Sequence, residues 1–451
     1  MGISVWALLA YIFTIIVWNS VLKRNIGEAM GIGLIVVLLF GGSQFFILLQ
    51  DGIIYAVTQE TVFAALAFVF MAYVMTKTGL ISRLVDILNS ILGRIPGGAG
   101  YISTLASALM GMISGSGSGN AASVGSITIP WMINSNWPRE LSATVVAGNA
   151  GLGASIPPCS AMFILLGMAV VADKVTTGQL YMALLTAGLW VTLYRLVVVR
   201  FFVKQYDIKP LPAEMIKPFS QTLRDGWSSL LMFLGIIIPI VVTMGPIAEA
   251  LSAAKNFGAE ALDEISIIVW IPVLISWIAL FEGRKYLPKT AAGWYDFIVS
   301  SSKRYVVVGA TLVFAFAAGR VLTKLGLSED IMAILEAVNL SPLLIVILVG
   351  ILVIAVAAPL TNTATITAVG SVSFSALLMA GINPVAAATA ILIWSASEGA
   401  SPPNSAPIFI ATGIANVDPV KTFKPLIIYY LIPTIILGTL IALQILPIYI
   451  I

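Results

Sequence analysis

Thr361-Asn362-Thr363, Val369-Gly370-Ser371 and Pro402-Pro403-Asn404-Ser405-Ala406 stand in the second half of this 451-residue chain, and the first half repeats their grammar. There the matching stretches are Gly115-Ser116-Gly117-Ser118-Gly119-Asn120, Val124-Gly125-Ser126 and Pro157-Pro158-Cys159-Ser160-Ala161. Val369 lies 245 positions after Val124, and at the same offset Ala143-Thr144 matches Ala388-Thr389 and Asp173 matches Asp418. Each set is a polar, small-residue turn followed by a double-proline break, embedded in apolar sequence. Interrupted hydrophobic segments at corresponding places in two halves mark the binding site of a secondary transporter.

Composition sets the class. Hydrophobic residues make up 59% of the chain and charged residues 10%, against about 25% charged in a soluble domain. Mean hydropathy is +1.04, so lipid is the solvent. A net charge of +3 gives no reason to expect nucleic acid. The single cysteine, Cys159, excludes an internal disulfide or a cysteine metal cluster. The absence of histidine removes the usual proton relay and the Ser-His triad. No paired aspartates or Ser-Lys dyad lie at depth, so an enzyme is not expected. The first apolar stretch is long and lacks a cleavage site, so it reads as a span rather than a signal peptide.

A helix needs about 20 apolar residues to cross the hydrocarbon. Continuous candidates are Ile3 to Leu22, Ala29 to Leu49, Glu60 to Met75, Gln179 to Val203, Ser228 to Met244, Ile265 to Phe281, Lys303 to Leu322 and Phe423 to Ile445. Arg139 to Ala172 and Pro384 to Ala415 are longer and hold the Pro-Pro pairs, so each reads as one crossing with an unwound middle. The segments around Ser116 and Asn362 read as re-entrant hairpins. The expected fold is therefore all-α and integral to the membrane: two inverted five-span repeats, each with a re-entrant hairpin and a broken helix. With both termini on one face, the other collects eighteen Lys and Arg, while the terminal face receives Lys174, Lys255, Arg320 and Lys324. Cytoplasmic loops are enriched in these residues, which places both termini outside a bacterial or archaeal cytoplasmic membrane. Amphipathic stretches after Gly79 (Leu80, Leu84, Ile87, Leu88, Ile91) and after Gly326 (Ile331, Met332, Leu335, Val338) read as surface arms.

Unwound backbone survives in hydrocarbon only beside a cavity or inside protein. Its carbonyls, with Ser, Thr and Asn oxygens, suit Na⁺, while freed amides at helix N-termini suit a carboxylate. Candidate solute-binding residues are Ser116, Ser118, Asn120, Thr361, Asn362 and Thr363. Candidate Na⁺ ligands are Ser116, Asn149, Ser155, Pro157, Ser160, Asn362, Glu398, Ser401, Pro402 and Ser405, with two or more ions and no organic cofactor expected. Glu398 is the one acidic residue placed deep in the membrane, and it reads as an ion ligand, a proton site or an acceptor for neighbouring amides. Arg195 reads as snorkelling or contacting a partner rather than touching solute.

Gly79-Leu80-Ile81-Ser82-Arg83-Leu84-Val85-Asp86, Gly97-Gly98, Met112-Ile113-Ser114-Gly115-Ser116 and Val124-Gly125-Ser126-Ile127-Thr128-Ile129-Pro130, with Pro402-Pro403-Asn404 and Gly413-Ile414-Ala415, resemble the large membrane subunit of TRAP (tripartite ATP-independent periplasmic) transporters. The resemblance covers nearly the whole chain. It implies an inverted-repeat elevator fold, Na⁺-driven uptake of organic acids such as carboxylates or sialic acids, a four-helix small membrane subunit, and an extracytoplasmic substrate-binding protein. Thr361-Asn362-Thr363 with Pro402-Pro403-Asn404 is equally similar to the divalent anion/Na⁺ symporters, whose hairpins carry Ser-Asn-Thr; here threonine replaces that serine.

The expected activity is Na⁺-coupled symport of a small organic anion. A moving body of residues 97–172 and 341–416 slides against a scaffold of residues 1–96, 173–340 and 417–451. A cation/proton antiporter using Glu398, or a stand-alone dicarboxylate symporter, is the alternative.

Overall fold

Glycine, proline and the run of apolar residues between them set where each helix starts and stops. The computed structural model describes residues 2–114, 116–243, 246–254, 265–327, 329–330, 333, 340–358, 360–402 and 405–450. Among these residues every regular element is a helix. In chain order they include α1 (Ile3–Ile16, continued by a π-helical turn at Val17–Val21), α2 (Ile26–Leu39), α3 (Phe45–Thr58), α4 (Glu60–Lys77) and α5 (Leu80–Leu92). The first hairpin is α6 (Gly98–Ser114) and α7 (Gly117–Asn134), followed by α8 (Arg139–Asn149), α9 (Ser160–Leu166) and the long α10 (Thr177–Gln205). Then come α11 (Phe219–Gly226), α12 (Leu234–Thr243), α13 (Ile267–Glu282) and α14 (Ala291–Lys324). The second hairpin is α15 (Pro342–Ala357) and α16 (Asn362–Met379), followed by α17 (Pro384–Ser395), α18 (Ala406–Ala415) and α19 (Val420–Ala442).

Several span boundaries differ from the sequence expectation. The stretch Ala29 to Leu49 is two helices, because Gly42 turns the chain with φ +55 between α2 and α3. The supposed connection after Leu49 is helical, and the segment through Thr58 bends by 54° into the one through Lys77. Ser228 to Met244 falls within a longer apolar helical stretch, Ala213–Thr243, whose Trp227–Phe233 part is 3₁₀ and leads into α12. The stretch expected at Lys303 to Leu322 lies inside the 34-residue α14. By length and apolarity alone, four helices among the described residues could cross a membrane, or six if each bent pair is one span. The expected ten crossings therefore also enlist shorter apolar helices such as α1, α2 and α13. Of the second amphipathic arm, Ile331, Met332, Leu335 and Val338 lie outside the described residues.

The helices pack in two groups. In one, α14 lies along α2, α3 and α4, α13 packs on α4 and α12, and α1 packs on α2. In the other, α6 and α7 pack on each other and on α8, α15 packs on α16, and α18 covers α7 and α8. The helices α10 and α19 join this second group, α10 against α17 and α6, α19 against α17, α15 and α8. Two side chains show how closely. The Trp394 indole is wedged between Gly350 and Gly438 and donates to the Ile435 carbonyl at 3.2 Å. Arg195 does not snorkel: it is buried between α10 and α19, 4.5 Å from the Tyr430 ring centroid, and donates to Thr434 Oγ1 at 2.9 Å. The groups touch where Phe68 stacks on Phe163 at 4.8 Å and where the Tyr55 hydroxyl donates to the Gly167 carbonyl at 2.7 Å.

Within the second group the two broken helices cross almost backbone to backbone. A Cβ on Gly151 would strike the Ala396 carbonyl oxygen, and one on Gly399 would strike the Ala147 carbonyl oxygen. Only glycine permits that approach. Replacing Gly151 or Gly399 by Ala forces the pair apart and is expected to lower stability by about 1–3 kcal/mol. The purified variants should melt below the parent protein; unchanged melting would show that the crossing tolerates a methyl group.

Candidate functional site

Both hairpins start their second helix in the same way. Ser116 is the N-cap of α7 and its Oγ accepts from the Gly119 N–H at 3.1 Å. Thr361 is the N-cap of α16 and its Oγ1 accepts from the Ala364 N–H at 3.4 Å. A hydroxyl at this position satisfies one of the amides that a helix start leaves open. Ser116 and Thr361 are both exposed, and Ser118 and Thr363 are half-buried. The Thr361 and Thr363 hydroxyls lie 3.2 Å apart.

The broken helices supply the other half of the site. After α8 the chain passes through a 3₁₀ turn, Leu152–Ser155, and an extended stretch containing Pro157 and Pro158 before α9 resumes with a 42° bend. After α17 a second 3₁₀ turn, Ala396–Ala400, precedes α18. Ser155, Pro157, Ser401 and Ser405 are buried, Ser160 and Pro402 half-buried. Ser401 Oγ donates to the Ser397 carbonyl at 2.9 Å. Pro403 and Asn404 lie outside the described residues.

Glu398 sits on the second 3₁₀ turn and reaches both tips. Its carboxylate accepts the backbone N–H of Asn362, the first residue of α16, and the backbone N–H of Gly117, the first residue of α7. A Cβ on Gly117 would collide with Glu398 Oε1, so the close approach needs glycine there. The positive ends of two helices thus face one buried negative charge, the arrangement that offsets its burial. In the sequence Gly117 stood only as part of the first polar turn and not as a site residue, although it matches Asn362 at the repeat offset (362 − 117 = 245).

Several oxygens in this region are buried with no hydrogen-bond partner. They include the Oδ1 atoms of Asn120, Asn149 and Asn362 and the hydroxyl of Ser405. Asn120 was expected to face solute from the tip. Instead it is fully buried one turn inward, and its Nδ2 donates to the carbonyls of Ser107 and Ala150, each at 2.9 Å. The Asn149 Nδ2 donates to Thr104 Oγ1 at 2.9 Å. Ser107 and Thr104 gave no sequence signal, because an isolated hydroxyl on an apolar helix carries no pattern.

Charge is scarce around these elements. Residues 97–173 contain one basic residue, Arg139, and residues 340–420 contain none. Arg139 is committed to the α18 end, donating to the Ala415 carbonyl at 3.1 Å. Among the described residues no group of three or more His, Cys, Asp or Glu side chains could hold a metal. The arrangement can therefore offer an anion backbone amides and hydroxyls, and a cation neutral oxygens with one carboxylate. Glu398→Gln retains the shape but cannot accept at both positions, and hydrogen bonds to a charged group are worth about 1.5–3 kcal/mol each. The variant is expected to lose roughly tenfold or more in reconstituted uptake and to melt earlier; parental uptake and melting would show that the tips hold without the carboxylate.

Comparison with known proteins agrees with this architecture. The Alcanivorax borkumensis YdaH transporter matches with a TM-score of 0.67 at 16% identity, covering 89% of each chain. Neisseria gonorrhoeae MtrF, described among antimetabolite efflux pumps, matches with a TM-score of 0.66 at 15% identity over 91% of this chain and 87% of that one. At that identity the likeness is one of fold. In sequence, the chain is 24% identical over 362 residues to the C4-dicarboxylate TRAP transporter large permease protein DctM of Pseudomonas aeruginosa, covering 79% of this chain and 78% of the relative. It is also 24% identical over 384 residues to the 2,3-diketo-L-gulonate TRAP transporter large permease protein YiaN of Escherichia coli, covering 82% and 84%. The sialic acid TRAP transporter large permease protein SiaM of Vibrio cholerae is 20% identical over 383 residues, covering 85% and 84%. The family model for the DctM component of the tripartite ATP-independent periplasmic transporter matches residues 11–447, and the chain belongs to that family of transporter large permeases.

Proposed function

We propose that the protein carries a small organic anion inward with Na⁺, the two hairpin tips and the two breaks forming one solute site. The observation that carries this reading is chemical. Two helix N-termini meet at a site lined by exposed hydroxyls at Ser116 and Thr361, with no lysine or arginine in residues 140–173 or 340–420. An anion bound there needs its charge balanced, and Glu398 adds to the deficit rather than relieving it. Cations entering with the solute supply that balance, and the unpartnered oxygens of Asn149, Asn362 and Ser405 are the right kind of ligand for them. Relatives named for C4-dicarboxylates, diketogulonate and sialic acid support an organic acid as cargo.

Moving one charge through 100 mV is worth about 2.3 kcal/mol, so a monovalent anion draws on voltage only with at least two Na⁺. The moving body is the group built on the hairpins, sliding past α1–α4, α13 and α14 in an elevator. Its extent differs from the division read in the sequence. Because α10 and α19 pack on the breaks, they travel with the hairpins rather than standing in the scaffold. An extracytoplasmic binding protein delivers the solute and a small membrane subunit supports the scaffold, as the tripartite family name implies.

The direct test is uptake of labelled C4-dicarboxylates and sialic acid into proteoliposomes, with and without a Na⁺ gradient and an extracytoplasmic substrate-binding protein. Uptake that needs inward Na⁺ is expected. Uptake indifferent to Na⁺ but driven by a pH gradient and abolished in Glu398→Gln would select proton coupling. Asn362→Ala should reduce uptake about tenfold without loss of protein, since it removes a buried oxygen at the tip while leaving the N–H to Glu398; unchanged uptake would remove Asn362 from the site.

A further inference from the structure

The far half of the first broken helix is gripped from outside its own group. Gly167 closes α9, and its carbonyl accepts the Tyr55 hydroxyl of α3 at 2.7 Å. One turn back on the same face, Phe163 stacks on Phe68 of α4, with ring centroids 4.8 Å apart and planes 23° from parallel. Both rings of that stack are buried. Tyr55 is itself held in place. The Arg320 guanidinium of α14 lies 5.1 Å from its ring centroid, and Arg320 Nε donates at 3.0 Å to Asp51, one turn before Tyr55 on α3. Gly52 brings α3 against the backbone of α14, where a Cβ would come within 3.1 Å of the Ala317 carbonyl oxygen.

At the other end of the hairpin group the same two groups stand apart. A cleft of about 130 Å³ separates Thr76, Gly79 and Ser82 from Met110, Ser123 and Ile127, and Thr76, Ser82 and Ser123 are exposed. It borders α7 between the tip and the base of the first hairpin; α8 sets out from that base, and α9 ends at the opposite face. The grip on α9 therefore closes one face while the cleft opens toward the other. The matching position in the second half is committed elsewhere. Thr412 corresponds to Gly167 (412 − 167 = 245) and Ile408 to Phe163. The Thr412 carbonyl accepts the Val417 N–H at 3.0 Å, and α18 packs on α7 and α8 inside its own group. In an inverted repeat the two end states exchange the parts played by the halves, so a contact open to one half alone favours one state. We propose that Tyr55 and Phe68 latch α9 and so hold the unloaded protein in the state whose cleft is open at the first hairpin. The latch rests on the elevator reading above and adds to it which end state the empty carrier prefers.

The test reads the two states as distances between spin labels on the full chain, purified without solute or sodium. The labels are carried by Asn134→Cys, exposed at the base of the first hairpin, and Lys289→Cys, exposed just before α14; Cys159→Ala removes the native thiol. Tyr55→Phe keeps the ring and loses only the hydroxyl, so the ratio of the parental distance to the alternative one should fall about two- to tenfold. Phe68→Leu should move the ratio in the same direction, and the two changes together should move it further. Tyr73→Phe, whose hydroxyl pairs with Ser300 inside the fixed group, should leave the ratio at the parental value. A merely structural role for Tyr55 lowers the melting temperature and leaves the ratio alone. A parental ratio in Tyr55→Phe, or an equal change in Tyr73→Phe, overturns the latch. The failure of the underlying reading looks different. Two distances whose ratio ignores Tyr55 leave the elevator standing without its latch, whereas a single distance in every variant, unmoved by solute and sodium, removes both.

Discussion

One carboxylate tying two helix starts is the constraint on which the arrangement of the site depends. Glu398 takes the first free amide of α7 and the first free amide of α16, and each of these would otherwise be an open donor. The bond is bought with a buried charge in an apolar body, and it is stable because both helix dipoles point their positive ends at it. It also sets distance. Two hairpin tips 245 residues apart are held to a single 3₁₀ turn, so their exposed N-cap hydroxyls are fixed relative to the crossing of the broken helices. Gly117, Gly151 and Gly399 serve the same end by letting backbone come where a side chain would not fit.

That constraint explains why the region is polar yet almost without basic residues. A lysine or arginine at a tip would compete with the amides for Glu398, and a permanent cation would hold an anionic solute too firmly for release. Amides and hydroxyls bind more weakly and, in the symport proposed above, leave the charge balance to the coupled ions. The same economy appears at the α6–α7–α8 junction, where the amide nitrogens of Asn120 and Asn149 lock helices together while their oxygens remain open. Rigid packing and an open acceptor come from the two ends of one side chain.

Much of this was legible in the chain, and the limits have physical causes. Pro157-Pro158 and Pro402 with its neighbour announce places where a helix cannot continue, and glycine or hydroxyl residues at 115–120 and 361–363 announce turns, because backbone geometry is a local property. The all-helical, apolar character and the family follow from composition and motifs on the same footing. What was not legible is which surfaces meet. Asn120 looked like a tip residue, but its amide finds carbonyls on α6 and after α8, a partnership of positions 13 and 30 residues away. The close packing of α17 on α15 and α19 was hidden for the same reason, since Trp394, Gly350 and Gly438 come together across distant segments. The split at Gly42 was missed since hydropathy averages over a single turn.

The most direct measurement is a density map of the protein in lipid, with sodium and a bound organic acid, resolved well enough to place side chains. The account predicts solute density against the Ser116 and Thr361 N-caps, with the Glu398 carboxylate seated between the amides of Gly117 and Asn362. Solute resolved away from both tips, or Glu398 turned out of reach of either helix, would contradict it.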